Sequence, residues 1–408
     1  MKNLLQIPLG IEIETALVDQ TNLEVFPIAH KVLETAVGQP ATDFPDGHIT
    51  WSNELVNHVI EFKVTKPEVM SEDMATQFHT SMQKCSQIVA EHNGKMLPTA
   101  MHPFMLPETQ TQIWPGVYNE HYMAYHTIFN CFKHGFANLQ SVHINIPFSD
   151  ENEFGRILAA IRIVLPLIPA LAASSPIKEG KITHSLDNRL EVYANNQKKV
   201  ASVTGMIIPE QIFTIAEYKE QILEKMYQDI APYDSDGMLH NEQLNSRGCI
   251  ARFDRNTFEI RLIDAQECPL ADIAIATAVM YLVNELFQEH WLSYEQQKQV
   301  DTGILYDLLI QTINSAERTQ ISNLEYLKQF GMSSAVTVQE LLLTILTPFI
   351  TELKNSGSKF AQVLETNLQD GPLARRIIAK LPADPTKAEI TQVYEKLAEC
   401  FVNNTIFN

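Results

Sequence analysis

Four short segments of the chain carry ionisable or polar side chains at every second position, and these side chains are the first candidates for chemistry. In sequence order they are Glu12 and Glu14, Glu61 and Lys63, His143 and Asn145, and Glu259 and Arg261. Neighbouring carboxylates repel each other and raise each other's pKa unless a positive charge lies between them. Because oxygen ligands with one imidazole suit Mg²⁺ or Mn²⁺, the set predicts a divalent metal site. The number of carboxylates indicates more than one ion.

The basic residues near these carboxylates indicate what such a metal would serve. Mg²⁺ held by a few carboxylates, with its other positions open, is the usual partner of nucleotide phosphates. Arg261 stands two residues after Glu259, and its planar guanidinium can contact a phosphate group through two parallel hydrogen bonds. We take Arg252, Arg247 and Lys63 as further candidates for binding nucleotide or substrate.

The segments around these residues alternate as β-strands do, where successive side chains point to opposite faces. Residues 10–15, 60–64, 141–147 and 257–264 all have an apolar residue at every second position. If the four strands lie side by side, helices can cover the apolar face, and the other face becomes a floor with four carboxylates and an imidazole. Glu54 has the wrong parity to share this face with Glu61, so we place it in the preceding turn as a weaker metal candidate.

Each of these residues also has an ordinary structural interpretation. An antiparallel strand with one solvated face alternates in the same way. Glu61 and Lys63 could form a surface ion pair, which contributes little stability. Arg261 could simply pair with Glu259, and His143 could be a hydrogen-bonded core histidine. We favour the metal site because a face meant only for solvation would carry more Lys, Thr, Ser and Gln.

The remaining pattern predicts an α+β protein. Residues 248–264 predict a hairpin, and residues 42–47 and 177–205 have the composition of loops. Apolar residues at helical spacing predict helices over residues 67–93, 118–131, 151–173 and 209–230. After residue 270 we expect helices only, over residues 270–289, 303–315, 336–355, 358–368, 371–381 and 386–403.

We therefore predict a curved, largely antiparallel sheet with helices on its convex face and a helical C-terminal third. One catalytic domain, residues 1–408, would contain the sheet and the site in residues 1–270 and a helical region in residues 271–408. A chain of this length can bury a large core.

The composition excludes some functions. A formal net charge of -19 makes binding to nucleic acid or to an anionic membrane a poor hypothesis. Five scattered cysteines without a CxxC pair predict reduced thiols in a cytoplasm. The N-terminus lacks the apolar core and cleavage site of a signal peptide, and we find no apolar run of about 18 residues, so we expect no membrane span.

Four ordered motifs resemble the glutamate–cysteine ligase superfamily, and most closely its second group, which includes bacterial carboxylate–amine ligases. They are GIEIET at 10–15, ELVNHVIEF at 54–62, SVHINIP at 141–147 and FEIRLID at 258–264. The resemblance extends from about residue 10 to residue 270 and implies a glutamine-synthetase-like fold, whose concave face holds ATP and divalent metals. It places Arg261 on the phosphate-binding arginine of the family. Its metal-ligand positions correspond to Glu12, Glu14, Glu54, Glu61, His143 and Glu259.

The resemblance implies an ATP-dependent carboxylate–amine ligase of the glutamate–cysteine type, as in glutathione biosynthesis, with small-molecule amino acids as substrates. Two rivals remain: a guanidino-kinase-like phosphotransferase of the same superfamily, and a non-catalytic homologue that binds amino acids or nucleotides. His121-Tyr122 stands where many members have Arg-Tyr, which leaves the amino-acid substrate open. The roles of His102, His121 and Arg189 and the oligomeric state, a homo-oligomer included, also stay open.

Overall fold

The structure is a computed structural model that describes residues 2–408. Its strands are β1 (Gly10–Asp19), β2 (Asp43–Asp46), β3 (Ile49–Asn53), β4 (Val59–Val64), β5 (Gly94–Leu97), β6 (Ser141–Pro147), β7 (Ile177–Lys178), β8 (Lys181–Ile182), β9 (Cys249–Arg252), β10 (Thr257–Asp264), β11 (Gln320–Ile321) and β12 (Val336–Thr337). Seven strands form an open antiparallel sheet in the order β2-β3-β4-β1-β6-β10-β9, and β5 pairs with the far part of β1. The four strands with alternating ionisable residues, β4, β1, β6 and β10, are therefore adjacent, as predicted.

Helices make up most of the rest of the chain. They are α1 (Ala29–Val37), α2 (Glu72–Glu91), α3 (Pro107–Gln110), α4 (Asn119–Phe129), α5 (His134–Ala137), α6 (Glu151–Val164), α7 (Ile168–Ala172), α8 (Asn188–Tyr193), α9 (Ile215–Tyr218), α10 (Lys225–Ile230), α11 (Pro269–Phe287), α12 (Tyr294–Gln297), α13 (Thr302–Ser315), α14 (Leu324–Lys328), α15 (Val338–Asn355), α16 (Lys359–Asp370), α17 (Leu373–Ala379) and α18 (Lys387–Asn403). A π-helical stretch, Lys219–Glu224, joins α9 to α10. The α+β prediction is confirmed.

Capping residues begin the helices that cover the sheet. The side chain of Ser71 accepts a hydrogen bond from the Met74 amide at the start of α2, and Asp150 caps α6 in the same way. α15 and α18 each begin with a capping box, in which a threonine and a glutamate three residues later satisfy each other's amides. Such caps satisfy amides that the first helical turn leaves without a partner.

The core lies on one face of the sheet. Alternate residues of the central strands, such as Ile13, Phe62, Ile144 and Phe258, are 0–1% exposed and belong to one large apolar cluster. α11 packs against α2, α6 and β6, so these helices cover that face. Burial of this apolar surface, at roughly 25 cal/mol per Å², is the main favourable contribution to folding.

Three sequence expectations were wrong at short elements. Residues 43–46, predicted as loop, form β2; it is an edge strand, where Pro45 is tolerated because its missing N–H leaves no ladder bond unmade. The predicted loop 177–205 contains β7, β8 and the six-residue helix α8. The C-terminal third also holds the ribbon β11–β12, whose strands have two residues each and so are too short to show alternation.

Two helical segments are long and apolar enough to cross a membrane by composition alone. They are Glu151–Ala172 and Pro269–Phe287, and 94% and 83% of their most apolar windows are buried inside the protein. Both belong to the layer that covers the sheet, so they are core helices. The five cysteines are free thiols, as their scattered spacing predicts, and burial raises the pKa of Cys131 to about 12.

Candidate active site

The polar face of the sheet forms the floor of a cavity of about 650 Å³, a size typical of small-molecule sites. Nine of the ten residues that the sequence predicts for the site line this cavity, and Arg247 does not. The nine are Glu12, Glu14, Glu54, Glu61, Lys63, His143, Arg252, Glu259 and Arg261. Their convergence from distant parts of the chain makes this cavity the candidate active site, although their individual roles remain predictions.

Strand register explains how the floor is assembled. Glu12 on β1 lies opposite both Lys63 on β4 and His143 on β6, and Glu14 lies opposite Glu61. On the other side of β6, Asn145 lies opposite Glu259 of β10. Residues that face each other across antiparallel strands have Cβ atoms about 4.5–5.5 Å apart, so these side chains interact directly.

Two groups of three side chains on the floor could each hold a metal ion. The ligand atoms of Glu12, Glu61 and His143 all lie within 4.8 Å of one another, and so do those of Glu14, Glu54 and Glu61. Glu61 belongs to both groups, so two ions would share its carboxylate. Carboxylate oxygens with one imidazole are donors for Mg²⁺ or Mn²⁺, and the residues present therefore fit the predicted metal. Glu259 lies in neither group.

Hydrogen bonds fix the orientation of the carboxylates of β1. His143 Nδ1 donates to Glu12 Oε2 at 3.1 Å, and the Asn145 amide donates to Glu12 Oε1 at 3.0 Å. The backbone N–H and the hydroxyl of Ser141 both donate to Glu14 Oε2, at 2.7 and 2.9 Å. The floor is therefore ordered by its own polar groups before any ligand binds.

The carboxylates differ strongly in their affinity for protons. Burial raises the pKa of Glu61 to about 7, and the charges of Glu12 and Glu14 add to this effect. The positive charge of Lys63 offsets only part of it. Burial and the neighbouring Glu61 raise the pKa of Glu54 well above its usual value. Burial also opposes ionisation of Glu12, but the hydrogen bond and charge of His143 outweigh it and lower the pKa of Glu12 to about 2. A shared divalent cation would favour the ionised forms and so offset the burial and repulsion that raise the pKa of Glu54 and Glu61.

The predicted basic residues occupy different electrostatic positions. Arg261 Nε is buried without a hydrogen-bond partner and lies 3.5 Å from Glu259 Oε1. Arg252 donates to Glu259 and Asp254 at 3.0 Å each. Lys63 donates to Glu61 at 3.1 Å and lies 3.6 Å from Asp43.

The candidate Arg247 and the histidine His102, whose role the sequence leaves open, lie outside the described lining of the cavity. Arg247 makes two 2.7 Å bonds to the carboxylate of Glu210, so its guanidinium is already engaged. His102 is buried, where its Nε2 donates to the Leu23 carbonyl and its Nδ1 accepts from the Phe104 amide. Burial lowers the pKa of His102 to about 4, which fits an uncharged residue that orders its loop.

Aromatic side chains of α4 line the cavity together with the acidic floor. Tyr118, His121, Tyr122 and Tyr125 all line the cavity, and their spacing places them on one face of α4 and its N-cap. Tyr122 Oη accepts a hydrogen bond from the Asn53 amide at 3.0 Å. The site therefore has an acidic, metal-competent half and an aromatic half.

The sequence alone assigned no role to several residues that line the cavity. Ser141 continues the period-two row of His143 and Asn145, so the alternation itself could have identified it. Arg189 and Tyr193 come from α8, which has no periodic link to the strands. Only the three-dimensional fold brings that helix to the cavity.

Comparison with protein families gives one extensive match. A model described as glutamate-cysteine ligase family 2 matches residues 8–394, nearly the whole chain. A relative from Archaeoglobus fulgidus, described as an uncharacterized protein, is 30% identical over 403 residues, which is 98% of this chain and 100% of the relative.

Comparison with solved structures supports the fold. A glutamate–cysteine ligase from Francisella tularensis, in complex with AMP, matches with a TM-score of 0.60 and 13% identity, over 97% of this chain and 88% of that one. A bifunctional glutathione synthetase from Pasteurella multocida matches with a TM-score of 0.58 and 12% identity, over 97% of this chain and 52% of that one. At these identities the likeness concerns the fold alone.

Proposed function

We propose that this chain, which belongs to glutamate-cysteine ligase family 2, is an ATP- and Mg²⁺-dependent carboxylate–amine ligase. It would join a γ-glutamyl or similar carboxylate to an amine such as that of cysteine. Family membership supports a ligase in general; the nucleotide, the metal and the two substrates are the proposed part. Glutathione biosynthesis is the corresponding metabolic setting.

The observation that carries the proposal is the pair of donor groups that share Glu61 on the cavity floor. Burial, together with the charges of the neighbouring carboxylates, raises the pKa of Glu61 to about 7. Divalent ions and a triphosphate together would restore the charge balance. Arg261 lines the same floor, and its positive charge would attract an anionic oxygen of the nucleotide.

The chemistry needs activation of a poor acyl donor. A carboxylate oxygen of the first substrate attacks the γ-phosphorus of ATP, the bond to the β-phosphate oxygen breaks, and ADP leaves. The amine nitrogen of the second substrate then attacks the acyl phosphate carbonyl, the carbon–oxygen bond to phosphate breaks, and the amine loses a proton. Positioning and electrostatic stabilisation are enough for both steps, so no protein nucleophile is required.

The residues divide this work by position. Glu12, Glu61 and His143 would hold one ion, and Glu14, Glu54 and Glu61 the other. Bound Mg²⁺ would neutralise charge on the phosphate oxygens.

Arg261 would contact the transferred phosphoryl group, and we propose it with Glu259 as the catalytic pair. Glu259 Oε2 accepts a hydrogen bond from Arg252, and Glu259 Oε1 lies 3.5 Å from Arg261 Nε without a hydrogen bond. Lys63 and Arg252 would supply further positive charge for the nucleotide.

Further features of the molecule support proposals for the substrates, the compartment and the domain organisation. The aromatic half of the cavity, including His121 and Tyr122, would contact the organic part of a substrate. Because small amino acids fit a cavity of about 650 Å³, we propose them as partners, and the reduced cysteines suit the cytoplasm. We further propose one catalytic domain across residues 1–408, since one apolar cluster joins the sheet to the C-terminal helices.

The test is a screen of ADP release with Mg²⁺ and ATP over pairs of carboxylic acids and amines, followed by mass spectrometry of the products. We expect ADP, phosphate and an amide in equal amounts with one acid–amine pair. A phosphorylated acceptor without amide would instead identify a phosphotransferase. Nucleotide binding in calorimetry without amine-dependent ADP release would identify a non-catalytic binding protein.

A further inference from the structure

The pairing of β10 with β6 is irregular at Arg261. Ile260 pairs with Ile144 of β6, but the next pair along is Ile263 with Val142. Two residues, Arg261 and Leu262, therefore stand opposite the single residue His143. This is a β-bulge, a feature that re-aims side chains and is over-represented next to active sites.

The bulge changes which residues of β10 face the site. Without it, Asp264 would point to the same face as Ile260, into the apolar core. With the extra residue, Asp264 pairs with Ser141 and lies on the polar side of the sheet, where it is fully buried. The alternation on which sequence reasoning relied is therefore broken immediately after Arg261.

Asp264 holds a second arginine in place. Its Oδ1 accepts a 2.5 Å hydrogen bond from Arg189 Nε, and its Oδ2 accepts from the Ser174 amide and the Ser175 hydroxyl at 2.9 and 3.0 Å. The side chains of Arg189 and Asp264 are 2% and 0% exposed. A buried ion pair is stable when its remaining N–H and oxygen groups also have hydrogen-bond partners.

The other end of the Arg189 guanidinium reaches the backbone of the bulge. Its Nη1 and Nη2 both donate to the Arg261 carbonyl, each at 3.3 Å. On the opposite side, the Arg261 amide donates to the Gly248 carbonyl at 2.9 Å. Gly248 also lets Leu262 approach, because a Cβ there would lie 2.7 Å from Leu262 Cδ1. The backbone of Arg261 is therefore held from both sides.

The side chain of Arg261 has no such support, since its Nε has no hydrogen-bond partner and its charge contact with Glu259 is 3.5 Å. We propose that Arg189 and Asp264 are positioning residues that hold the bulge and so aim the Arg261 guanidinium at the cavity. This inference rests on the proposed function only for what Arg261 does once it is aimed.

The experiment compares Arg189→Lys, Arg261→Lys and the double variant. A lysine at 189 retains the positive charge beside Asp264 but cannot bond Asp264 and the Arg261 carbonyl together. We expect Arg189→Lys to lower kcat by about 10- to 100-fold, the scale of a small misplacement of a catalytic group, with little change in the KM for either substrate. Adding Arg261→Lys should then cost much less than it does in the wild-type chain.

Arg376→Lys is the matched control. Arg376 and Glu267 form another buried arginine–carboxylate pair at 2.8 Å, with side chains 7% and 0% exposed, away from the cavity lining. We expect this variant to lower the melting temperature about as much as Arg189→Lys while kcat stays near the wild-type value. Equal loss of kcat in both variants would overturn the proposal.

Two other results would also overturn it. Full multiplicativity of the Arg189→Lys and Arg261→Lys effects would mean that Arg189 does not act through Arg261. A raised KM with unchanged kcat would mean that Arg189 touches substrate directly. If Arg189→Lys does not fold, Asp264→Asn keeps the side-chain shape, removes the charge and carries the same expectations.

Crystal structures separate this inference from the proposed function. If the wild-type chain releases no ADP with any acid and amine, the ligase proposal fails alone. In that case the metal-free structures of wild type and Arg189→Lys decide the inference. Displacement of the Arg261 guanidinium from Glu259 in the variant supports it, and an unchanged Arg261 overturns it.

Discussion

Ile13 and Glu14 are neighbours on β1, and they point to two faces of one sheet that are built on different principles. Ile13 is 1% exposed and packs in the main apolar cluster. Glu14 faces Glu61 across the strands, in a group of carboxylates that lie within 4.8 Å of one another. On the first face the packing of apolar side chains favours the folded chain, whereas on the second the like charges oppose it.

The difference shows where the cost of the site is offset. Adjacent residues along a strand point to opposite faces, so one strand can contribute to both faces without mixing them. The apolar face and its helices supply the stability that permits repulsion on the polar face, a common relation between function and stability. Substitutions on one face should therefore change stability alone, and those on the other should change binding and turnover.

The largest expected effect is the loss of an aromatic side chain from the apolar face. Phe258 is fully buried and packs on Phe148 and Phe154, with ring centroids 5.2 and 4.7 Å away. We expect Phe258→Ala to lower the free energy of unfolding by about 3–5 kcal/mol in urea titrations, through the lost contacts and the cavity left behind. Activity per folded molecule should stay near the wild-type value. A loss of turnover with unchanged stability would break the comparison.

The next effect is on the polar face. Glu14→Gln removes an anionic ligand from one donor group while it keeps the shape that accepts hydrogen bonds from Ser141. We expect Mg²⁺-dependent ATP binding to weaken by more than roughly 100-fold in calorimetry, since loss of supporting partners alone costs 10- to 100-fold at metal sites. The fold should survive.

Glu24→Gln, which replaces an exposed carboxylate outside the cavity lining, is the matched control for Glu14→Gln. It should bind metal and nucleotide as the wild-type chain does. Wild-type affinity in Glu14→Gln itself would remove Glu14 from the metal set.

Strand alternation alone predicted which side chains of the central strands share the polar face. The parity of Glu12, Glu14 and His143 indicated a shared face, and the structure places them on one floor. Parity could not assign Glu54, which has no strand of its own and reaches the site from the β3–β4 loop. A loop residue follows the turn geometry, which has no periodic signal in the sequence.

The parts that sequence did not predict depend on irregular or non-local structure. The bulge after Ile260 shifts Asp264 to the polar side, against the alternation of β10. Arg189 comes from a helix in a segment that reads as polar loop, and its pairing with Asp264 is a tertiary contact. No local propensity encodes such a contact, because it depends on how distant elements pack.

The residues of the polar face also differ among themselves. Arg261 belongs to neither metal-donor group, but it would contact phosphate. Arg261→Lys keeps a positive charge and loses the planar fork that makes two parallel hydrogen bonds. We expect kcat to fall by about 100-fold, as for removal of one donor from a charge-stabilising site. Mg²⁺ affinity without nucleotide should be unchanged. Steady-state kinetics and calorimetry measure the two, and near-wild-type kcat would make Arg261 a structural residue.

The smallest expected effect is a gain in stability on the polar face. In the metal-free protein, burial and the charges of Glu12 and Glu14 raise the pKa of Glu61 from 4.5 to about 7. Between these two pH values the folded chain binds more protons than the unfolded chain, so stability falls as pH rises through that window. Glu61→Gln removes this titration, because an amide carries no charge at any pH.

We therefore expect Glu61→Gln to match the wild-type chain below pH 4.5 and to be more stable than the wild-type chain above pH 7, measured by urea titration with a chelator present. Added Mg²⁺ should reverse the order, because only the wild-type chain retains the carboxylate that both donor groups share. A pH-independent difference would show that repulsion does not act on Glu61. The polar face would then stabilise the metal-free fold as the apolar face does, and the contrast between the faces would lie in chemistry alone.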